Sequence, residues 1–281
     1  PQEFVVCDQA EIKNPLDMIG VRLESEVHII TGSVTSAQNL VKCINRAGFK
    51  VDSIVLESLA ASEAVLTRDE QELGVLLIDL GGGTTDMLVH IDGAPYFTSV
   101  LPIGGSQVTA DLSIMLKTPT ESAERIKLEA GCAYAGMVEE DEPVIIPGVG
   151  GRPPLSVKRR DVAAIIEPRM TEIFRMVREK VEKKGYLERL NGGVVLTGGG
   201  ALLPGVVELA QDIFRSAARV GRPVNLGGVS HEYQSAEYAT AIGLILYGAN
   251  QLQSEGRETR VREGSPGMVQ GLKKWLKNFF E

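Results

Sequence analysis

The stretch from Gly74 to Asp86 holds the residues best suited to chemistry, because an apolar run ends there in an acid and three glycines. Glycines weaken a strand, but they let backbone N–H groups approach a phosphate closely, and Thr84 and Thr85 add hydroxyl donors. Asp79 at the strand end can hold a hydrated Mg²⁺ beside that phosphate. A plain glycine turn joining two strands is the alternative interpretation.

A second glycine cluster, Gly198 to Gly200, follows the apolar segment Gly193–Thr197. In open α/β sheets, ligands collect beyond the carboxyl ends of strands, so two such glycine-rich strand ends favour one shared phosphate or nucleotide site. Pro204 then starts a predicted helix whose N-terminus can face an anion. A tight strand-to-helix turn explains the second cluster equally well when it is considered alone.

Glu124 and Lys127 lie three residues apart in the predicted helix Thr120–Gly131, which places them on one face. The pattern is typical of a surface ion pair, which contributes little to stability. It also suits a clamp in which the carboxylate accepts hydrogen bonds from sugar hydroxyl groups. The spacing alone favours the ion pair.

Hydrophobic periodicity and turn residues predict an α/β protein that positions these residues. The predicted strands are Val21–Glu24, Val27–Thr31, Val51–Leu56, Gly74–Leu80, Asp86–Ile91, Tyr96–Leu101, Val144–Ile146 and Gly193–Thr197. The predicted helices are Ser36–Ala47, Glu57–Leu66, Ser106–Leu116, Thr120–Gly131, Asp161–Lys184, Gly205–Ser216 and Ser235–Gly248. Arg68–Glu72 is predicted as a charged connector, and Pro168 is expected to break the long helix early.

The bulk composition excludes several classes of protein. With 281 residues and 43% hydrophobic content, the chain can build sizeable cores. Its net charge of −8 argues against general nucleic-acid binding. The three cysteines form no CxxC pattern, which suits a reducing compartment, and with three histidines a zinc site is not expected. No apolar run is long enough for a membrane-spanning helix.

The last residues form a distinct amphipathic segment. Residues 251–267 are polar and charged and are interpreted as a linker, after which residues 268–281 are predicted to form a helix of roughly 20 Å. Apolar side chains on one face and lysines on the other favour a helix lying in an anionic membrane surface. The predicted membrane-binding residues are Leu272, Lys273, Lys274, Trp275, Leu276, Lys277, Phe279 and Phe280. Docking of this helix on the protein's own core is the alternative.

Taken together, these motifs resemble the actin-like ATPase superfamily. The resemblance rests on Asp79-x-Gly-Gly-Gly-Thr84, on Glu124-x-x-Lys127 and on the segment Val195–Pro204. Within that superfamily the chain most resembles the bacterial FtsA family of cell-division proteins. The distinguishing segments are Gln2-Glu3-Phe4, Ile12-Lys13-Asn14-Pro15, Gly20-Val21-Arg22-Leu23 and Val149-Gly150-Gly151-Arg152-Pro153-Pro154.

The resemblance implies a two-lobed, actin-like (ribonuclease H-like) α/β fold with an incomplete first lobe, a complete second lobe and a C-terminal amphipathic helix. The implied subdomains are the remainder of 1C (1–25), the second part of 1A (26–72), 2A (73–104 and 190–250) and 2B (105–189). A first phosphate loop is expected upstream of Pro1.

The resemblance also implies ATP and Mg²⁺ as ligands. Asp79 would hold Mg²⁺ through water, and the loop after it would bind the β- and γ-phosphates. The implied nucleotide-binding residues are Asp79, Gly81, Gly82, Gly83, Thr84, Thr85, Glu124, Lys127, Gly198, Gly199 and Gly200. Glu57 lies where relatives often carry a residue that orients the attacking water, although it is equally well explained as the first residue of a helix.

By the same resemblance, the protein would polymerise with ATP bound and be at most a weak ATPase. It would anchor FtsZ filaments to the cytoplasmic face of the bacterial inner membrane at the division site. Other division proteins would be further partners. The FtsZ C-terminal tail would dock on subdomain 2B, with Arg159, Arg160 and Arg178 as contacts or simply as a solvated helix face. The alternatives are a sugar kinase or chaperone-type ATPase of the same fold, or a pilus-assembly relative.

Overall fold

The computed structural model describes residues 1–138, 142–148, 153–224 and 230–254. Its strands are β1 (Glu3–Val6), β2 (Gln9–Ile12), β3 (Leu23–Glu26), β4 (Val75–Leu80), β5 (Thr85–Ile91), β6 (Ala94–Leu101), β7 (Pro143–Ile146), β8 (Leu155–Lys158), β9 (Val194–Thr197) and β10 (Ala218–Val220). Its α-helices are α1 (Val34–Arg46), α2 (Glu57–Val65), α3 (Arg68–Leu73), α4 (Gly105–Met115), α5 (Thr120–Ala130), α6 (Arg159–Lys183), α7 (Val206–Phe214) and α8 (Ala239–Ser254).

A mixed sheet with the strand order β10-β9-β4-β5-β6 forms the centre of the fold. β4 pairs with β9 in parallel and with β5 antiparallel, so that Asp79 lies opposite Thr197 on one side and Asp86 on the other. Every residue of β4 and β5 is buried. The uninterrupted apolar run of β4 is what a strand covered on both faces requires.

Helices cover both faces of this sheet. Alternate residues of β4 belong to two different cores: Leu76 and Ile78 pack in the core that includes α6 and α7, while Val75 and Leu77 pack against α2 and α8. This alternation follows from the two-residue period of a strand. The α2–α8 pair is especially close, because a Cβ atom at Gly243 would collide with the carbonyl of Ala60. The result is a three-layer α/β/α arrangement.

Helix α6 runs without interruption through Pro168, so the expected early break is wrong. Proline removes one backbone hydrogen bond from a helix. The buried face of α6, which includes Ile166, Met170 and Phe174, compensates by packing into the larger core. The hairpin of β7 and β8 leads into α6; β8 was not anticipated.

The N-terminal residues form a small sheet of order β2-β1-β3. It contacts the central sheet through Gln2, whose side-chain amide donates to Pro95 O at 3.1 Å, and His28, 3.1 Å from the Thr98 hydroxyl. The strands predicted at Val27–Thr31 and Val51–Leu56 are wrong, because neither segment is assigned as strand. An isolated extended segment gains no ladder hydrogen bonds, so its β-branched residues do not make it a strand.

Three further predictions need correction. The charged connector before β4 is helix α3, which a capping box between Thr67 and Glu70 stabilises. Strand β10, which has three residues, was missed. Helix α8 continues to Ser254, so residues 251–254 are helical and do not belong to a linker.

Candidate functional site

A cavity of about 390 Å³ lies where the ends of β4 and β9 meet helices α4, α5 and α6. The residues that line it are Leu80, Gly81, Gly82, Gly104, Gly105, Val108, Glu124, Lys127, Leu128, Met170, Ile173, Gly199, Gly200, Leu202, Leu203, Pro204 and Glu237. Both predicted glycine clusters and the predicted clamp helix therefore border one cavity. Its position at the carboxyl ends of parallel strands is where α/β sheets usually bind ligands.

The glycine loop after β4 is fixed by backbone hydrogen bonds. Gly81 N donates to Thr84 O at 3.0 Å, which closes the loop, and Gly105 N donates to Gly81 O at 2.9 Å. Ser106 N donates to Gly82 O at 2.8 Å. A Cβ atom at Gly104 would lie 2.5 Å from Gly81 O, so only glycine permits this close approach. The first turn of α4 thus forms one wall of the glycine loop.

The second glycine cluster packs against the end of β4. Gly198 has a φ of +82°, which favours glycine. A Cβ atom at Gly200 would lie 2.7 Å from the Leu80 Cβ atom. Gly199, in contrast, has no heavy atom within 4 Å of such a Cβ position, and it lines the cavity. This cluster brings bare backbone both to the cavity and to the strand end that carries Asp79.

Glu124 and Lys127 form an ion pair beside the cavity, with Lys127 Nζ 2.7 Å from Glu124 Oε2. Lys127 also donates to Gly105 O at 3.2 Å and to the Thr109 hydroxyl at 3.0 Å. Burial works against ionisation of Glu124, but hydrogen bonds from Lys127 and Thr109 outweigh it and lower its pKa. Glu124 and Lys127 therefore form an ion pair and also line the cavity.

Three carboxylates come together below the glycine loop. Burial, and then the Glu57 and Asp86 carboxylates, raise the pKa of Asp79 to about 6, although a hydrogen bond from Thr240 opposes the shift. Burial also raises the pKa of Asp86, and burial together with Asp86 raises the pKa of Glu57. A nearby cation would stabilise the ionised forms of these carboxyl groups.

The same carboxylates determine whether a metal ion could bind here. Within the part of the chain that the structure describes, no group of three or more His, Cys, Asp or Glu residues could hold a metal ion directly. Asp79, buried at the rim of the glycine loop, instead suits a hydrated cation that a phosphate ligand would share. The chemistry of these carboxylates is compatible with a hydrated cation beside a bound phosphate group.

Only some of the predicted phosphate-binding residues after β4 line the cavity. Gly81 and Gly82 line the cavity, whereas Gly83 and Thr84 lie on the exposed tip of the loop. Thr85 is fully buried in β5, and its hydroxyl donates to Ile103 O at 2.8 Å. Its hydroxyl is therefore engaged within the sheet and does not reach the cavity.

The predicted arginine contacts are already engaged within the protein. Arg159 donates to Glu142 Oε2 at 2.7 Å and to Ala130 O at 3.0 Å. Arg178 donates to Ile213 O at 2.8 Å, in the last turn of α7. Arg160 lies exposed at the start of α6. This placement favours structural roles for Arg159 and Arg178.

Sequence reasoning missed several residues of the site. Gly104 and Gly105 form a wall of the glycine loop, and Glu237 lines the cavity. The doublet Gly104-Gly105 at the start of a predicted helix was a usable signal, since two adjacent glycines suggest close backbone approach. Thr109 and Glu237 gave no such signal, because their partners are distant in sequence.

The predicted membrane-binding residues of segment 268–281 and most of the Val149–Pro154 segment lie outside the described residues. The described helices include none with the length and apolar character needed to cross a bilayer.

Solved structures with similar folds define the class of protein. MreB5 of Spiroplasma citri bound to ADP matches with a TM-score of 0.67 and 16% identity, over 80% of this chain and 68% of that one. The MamK double helical filament matches with a TM-score of 0.56 and 16% identity, over 76% of this chain and 65% of that one. The fold is therefore that of the actin-like proteins, which confirms the predicted fold class.

Sequence comparisons identify the family. The family model described as "Cell division protein FtsA" matches residues 76–243, and the one described as "SHS2 domain inserted in FTSA" matches residues 1–31. FtsA of Borreliella burgdorferi is 50% identical over 88% of this chain and 60% of its own length. FtsA of Pseudomonas aeruginosa is 41% identical over 99% of this chain and 68% of its own length. The chain belongs to the FtsA family of cell division proteins and spans roughly two thirds of these relatives.

Proposed function

We propose that the cavity between the two glycine clusters binds ATP together with Mg²⁺. The observation that carries this proposal is the convergence of Gly81–Gly82, Gly199–Gly200 and Glu124 on one cavity at the strand ends. Backbone N–H groups of the first loop would bind the β- and γ-phosphates, and the second cluster would lie along the adenosine. Two structures of one protein with a similar fold, MreB5 of Spiroplasma citri bound to ADP and to AMPPNP, support a nucleotide as the ligand.

The proposed roles follow from position. Glu124 and Lys127 border the part of the cavity assigned to ribose and base, where Leu128 and Met170 supply apolar surface. Asp79 would hold Mg²⁺ through water. The pKa of this carboxyl is raised, and a bound cation would lower it by stabilising the ionised form. Glu57 would orient an attacking water. The protein would be at most a weak ATPase, with nucleotide serving mainly as an assembly ligand.

The ATP proposal predicts that filling the cavity from the glycine side weakens ATP binding. Gly82 and Gly199 line the cavity, and a Cβ atom at either position meets no heavy atom closer than 3.9 Å. Gly82→Val and Gly199→Val are therefore expected to fold normally and to weaken ATP binding at least about 10-fold, because the added methyl groups occupy ligand space. Isothermal titration calorimetry with ATP and Mg²⁺ measures the effect.

The matched control for these variants is Gly32→Val. Gly32 has no heavy atom within 4 Å of a Cβ position, and it does not line the cavity. Its variant is expected to bind ATP like the unmodified chain. Equal ATP affinity in all four proteins, or no binding by the unmodified chain, would contradict the proposal.

We further propose that the protein assembles with itself and links FtsZ filaments to an anionic membrane at the division site. Membership of the FtsA family supports a role in division. Segment 268–281, with Trp275 and Phe279 among lysines, supports membrane attachment as a peripheral helix at the cytoplasmic face of the inner membrane. The FtsZ C-terminal tail is proposed to dock within residues 105–189, where the predicted contacts Arg159, Arg160 and Arg178 lie.

Co-sedimentation with vesicles of mixed zwitterionic and anionic lipids tests this linkage. The full chain is expected to pellet with the vesicles and to carry added FtsZ with it, whereas a chain lacking residues 267–281 is expected to stay in the supernatant together with FtsZ. Since the lysines contribute through charge, vesicles without anionic lipid should bind more weakly. Unchanged sedimentation after the deletion would contradict membrane attachment, and vesicle-bound chain that leaves FtsZ in solution would contradict the FtsZ link.

A further inference from the structure

The side chain of Lys127 has no hydrogen-bond donor left for a ligand. Its Nζ atom donates to Gly105 O at 3.2 Å, to Thr109 Oγ1 at 3.0 Å and to Glu124 Oε2 at 2.7 Å. A lysine ammonium has three N–H groups, and each of them has an acceptor within the protein. Only 14% of the side chain is exposed.

Thr109 completes the same network from helix α4. Its hydroxyl hydrogen-bonds Glu124 Oε2, the oxygen that Lys127 also contacts, and lies 3.0 Å from Gly105 O. Thr109 is only 4% exposed and is not part of the cavity lining. Thr109 therefore lies behind the residues that form the cavity wall. Among the described residues, Glu124 Oε1 is left without a hydrogen-bond partner and is available to a ligand.

The network continues to the glycine loop. Gly105, whose carbonyl Lys127 holds, donates its own N–H to Gly81 O at 2.9 Å. The next residue, Ser106, donates to Gly82 O at 2.8 Å. An unbroken chain of hydrogen bonds thus joins α5, the first turn of α4 and the glycine loop.

The geometry points to Thr109 and Lys127 as positioning residues, which fix the Glu124 carboxylate for the ribose hydroxyl groups and set the first turn of α4 against the glycine loop. This inference rests on the proposed nucleotide site and refines it, because Lys127 then acts through Glu124 and donates no hydrogen bond of its own to the nucleotide. A charge-assisted hydrogen bond holds a carboxylate in a defined orientation, and a preorganised acceptor binds more tightly than a mobile one.

The test compares the affinities of the full chain for ATP and for dideoxy-ATP, which lacks both ribose hydroxyl groups. We expect the unmodified chain to prefer ATP by about 10-fold, since a hydrogen bond to a charged group contributes on that order. Thr109→Val keeps the shape of the side chain but removes the hydroxyl, and we expect it to reduce this preference to about 2-fold or less. Thr109→Ser, which retains the hydroxyl, is expected to restore the preference.

A double-mutant cycle tests whether Lys127 acts through Glu124. In the Glu124→Ala background, Lys127→Met is expected to cause no further loss of preference for ATP, whereas a lysine that contacts the ribose would add its own loss. Melting temperatures of all variants separate loss of folding from loss of positioning, and the cycle remains informative if Thr109→Val does not fold.

The outcomes distinguish this inference from the proposed function. ATP binding with an unchanged preference in Thr109→Val, or additive losses in the cycle, would overturn the inference alone. Absence of ATP binding by the unmodified chain would overturn the proposed site and the inference with it.

Discussion

At the scale of single residues, Asp79 shows a conflict between stability and binding. The residue is only 7% exposed, and burial together with the nearby Glu57 and Asp86 carboxylates raises its pKa from 3.8 to about 6. The folded protein therefore keeps this carboxyl protonated at pH values where the unfolded chain has lost the proton. Folding at neutral pH must place an ionised carboxylate in an unfavourable position, which a bound cation would relieve.

Asp79→Asn is expected to raise the free energy of unfolding at pH 7, although it removes the carboxylate proposed to hold Mg²⁺ through water. Between about pH 4 and pH 6 the folded state binds more protons than the unfolded state, so the contribution of Asp79 to stability falls as the pH rises through this range. The stability difference between the variant and the unmodified chain should thus be small at pH 4 and reach about 3 kcal/mol above pH 6. Urea denaturation at several pH values measures it.

The comparison must be made between the two proteins at each pH because His90 also titrates in this range. Burial lowers the pKa of His90 to about 4, so its contribution to stability rises with pH, opposite to that of Asp79. Since both proteins contain His90, its effect cancels in the difference. A stability difference that does not change with pH would contradict the raised pKa of Asp79.

At the scale of elements, Arg219 on the edge strand β10 forms an ion pair with Glu70 of helix α3. Its Nε and Nη2 atoms each lie 2.6 Å from a carboxylate oxygen of Glu70, and Nη2 also donates to Val65 O at 2.9 Å. Glu70 also accepts from the backbone N–H of Thr67 at 2.8 Å. One side chain therefore connects β10, α3 and the end of α2.

Arg219→Met is expected to lower the free energy of unfolding by about 2 kcal/mol, because it leaves the partly buried Glu70 carboxylate and a carbonyl without their partner. Arg215→Met is the matched control, since Arg215 is 78% exposed and its ion pair with Asp212 spans 3.7 Å. That substitution should change stability by less than about 0.5 kcal/mol. Equal effects of the two substitutions in chemical denaturation would refute the role of Arg219.

The elements also show how far sequence reasoning reaches. The central strands β4 and β5 were predictable, since apolar runs of that length are typical of fully buried strands. The strands predicted at Val27–Thr31 and Val51–Leu56 failed because a strand depends on partners that its own sequence does not reveal. The break expected at Pro168 failed because packing of the surrounding helix outweighs one missing hydrogen bond.

At the scale of the whole molecule, the candidate site was predictable where chemistry and sequence spacing coincide. The glycine clusters, Asp79 and the Glu124–Lys127 pair could be found because residue type and position relative to strand ends carry the signal. The hydrogen bonds from the first turn of α4 to Gly81 and Gly82 could not be predicted from the sequence, because they depend on how separate elements pack. The sequence therefore indicates which residues lie around the cavity but not how they are held.

The position of β4 has a consequence for local fluctuations. The strand lies between β9 and β5, and its side chains enter two cores, so its amides have no way to open without disrupting both layers of helices. Its backbone N–H groups should exchange with solvent deuterium only through global unfolding. A ligand held at the end of this strand would consequently slow exchange along the whole of β4 and not only around the cavity.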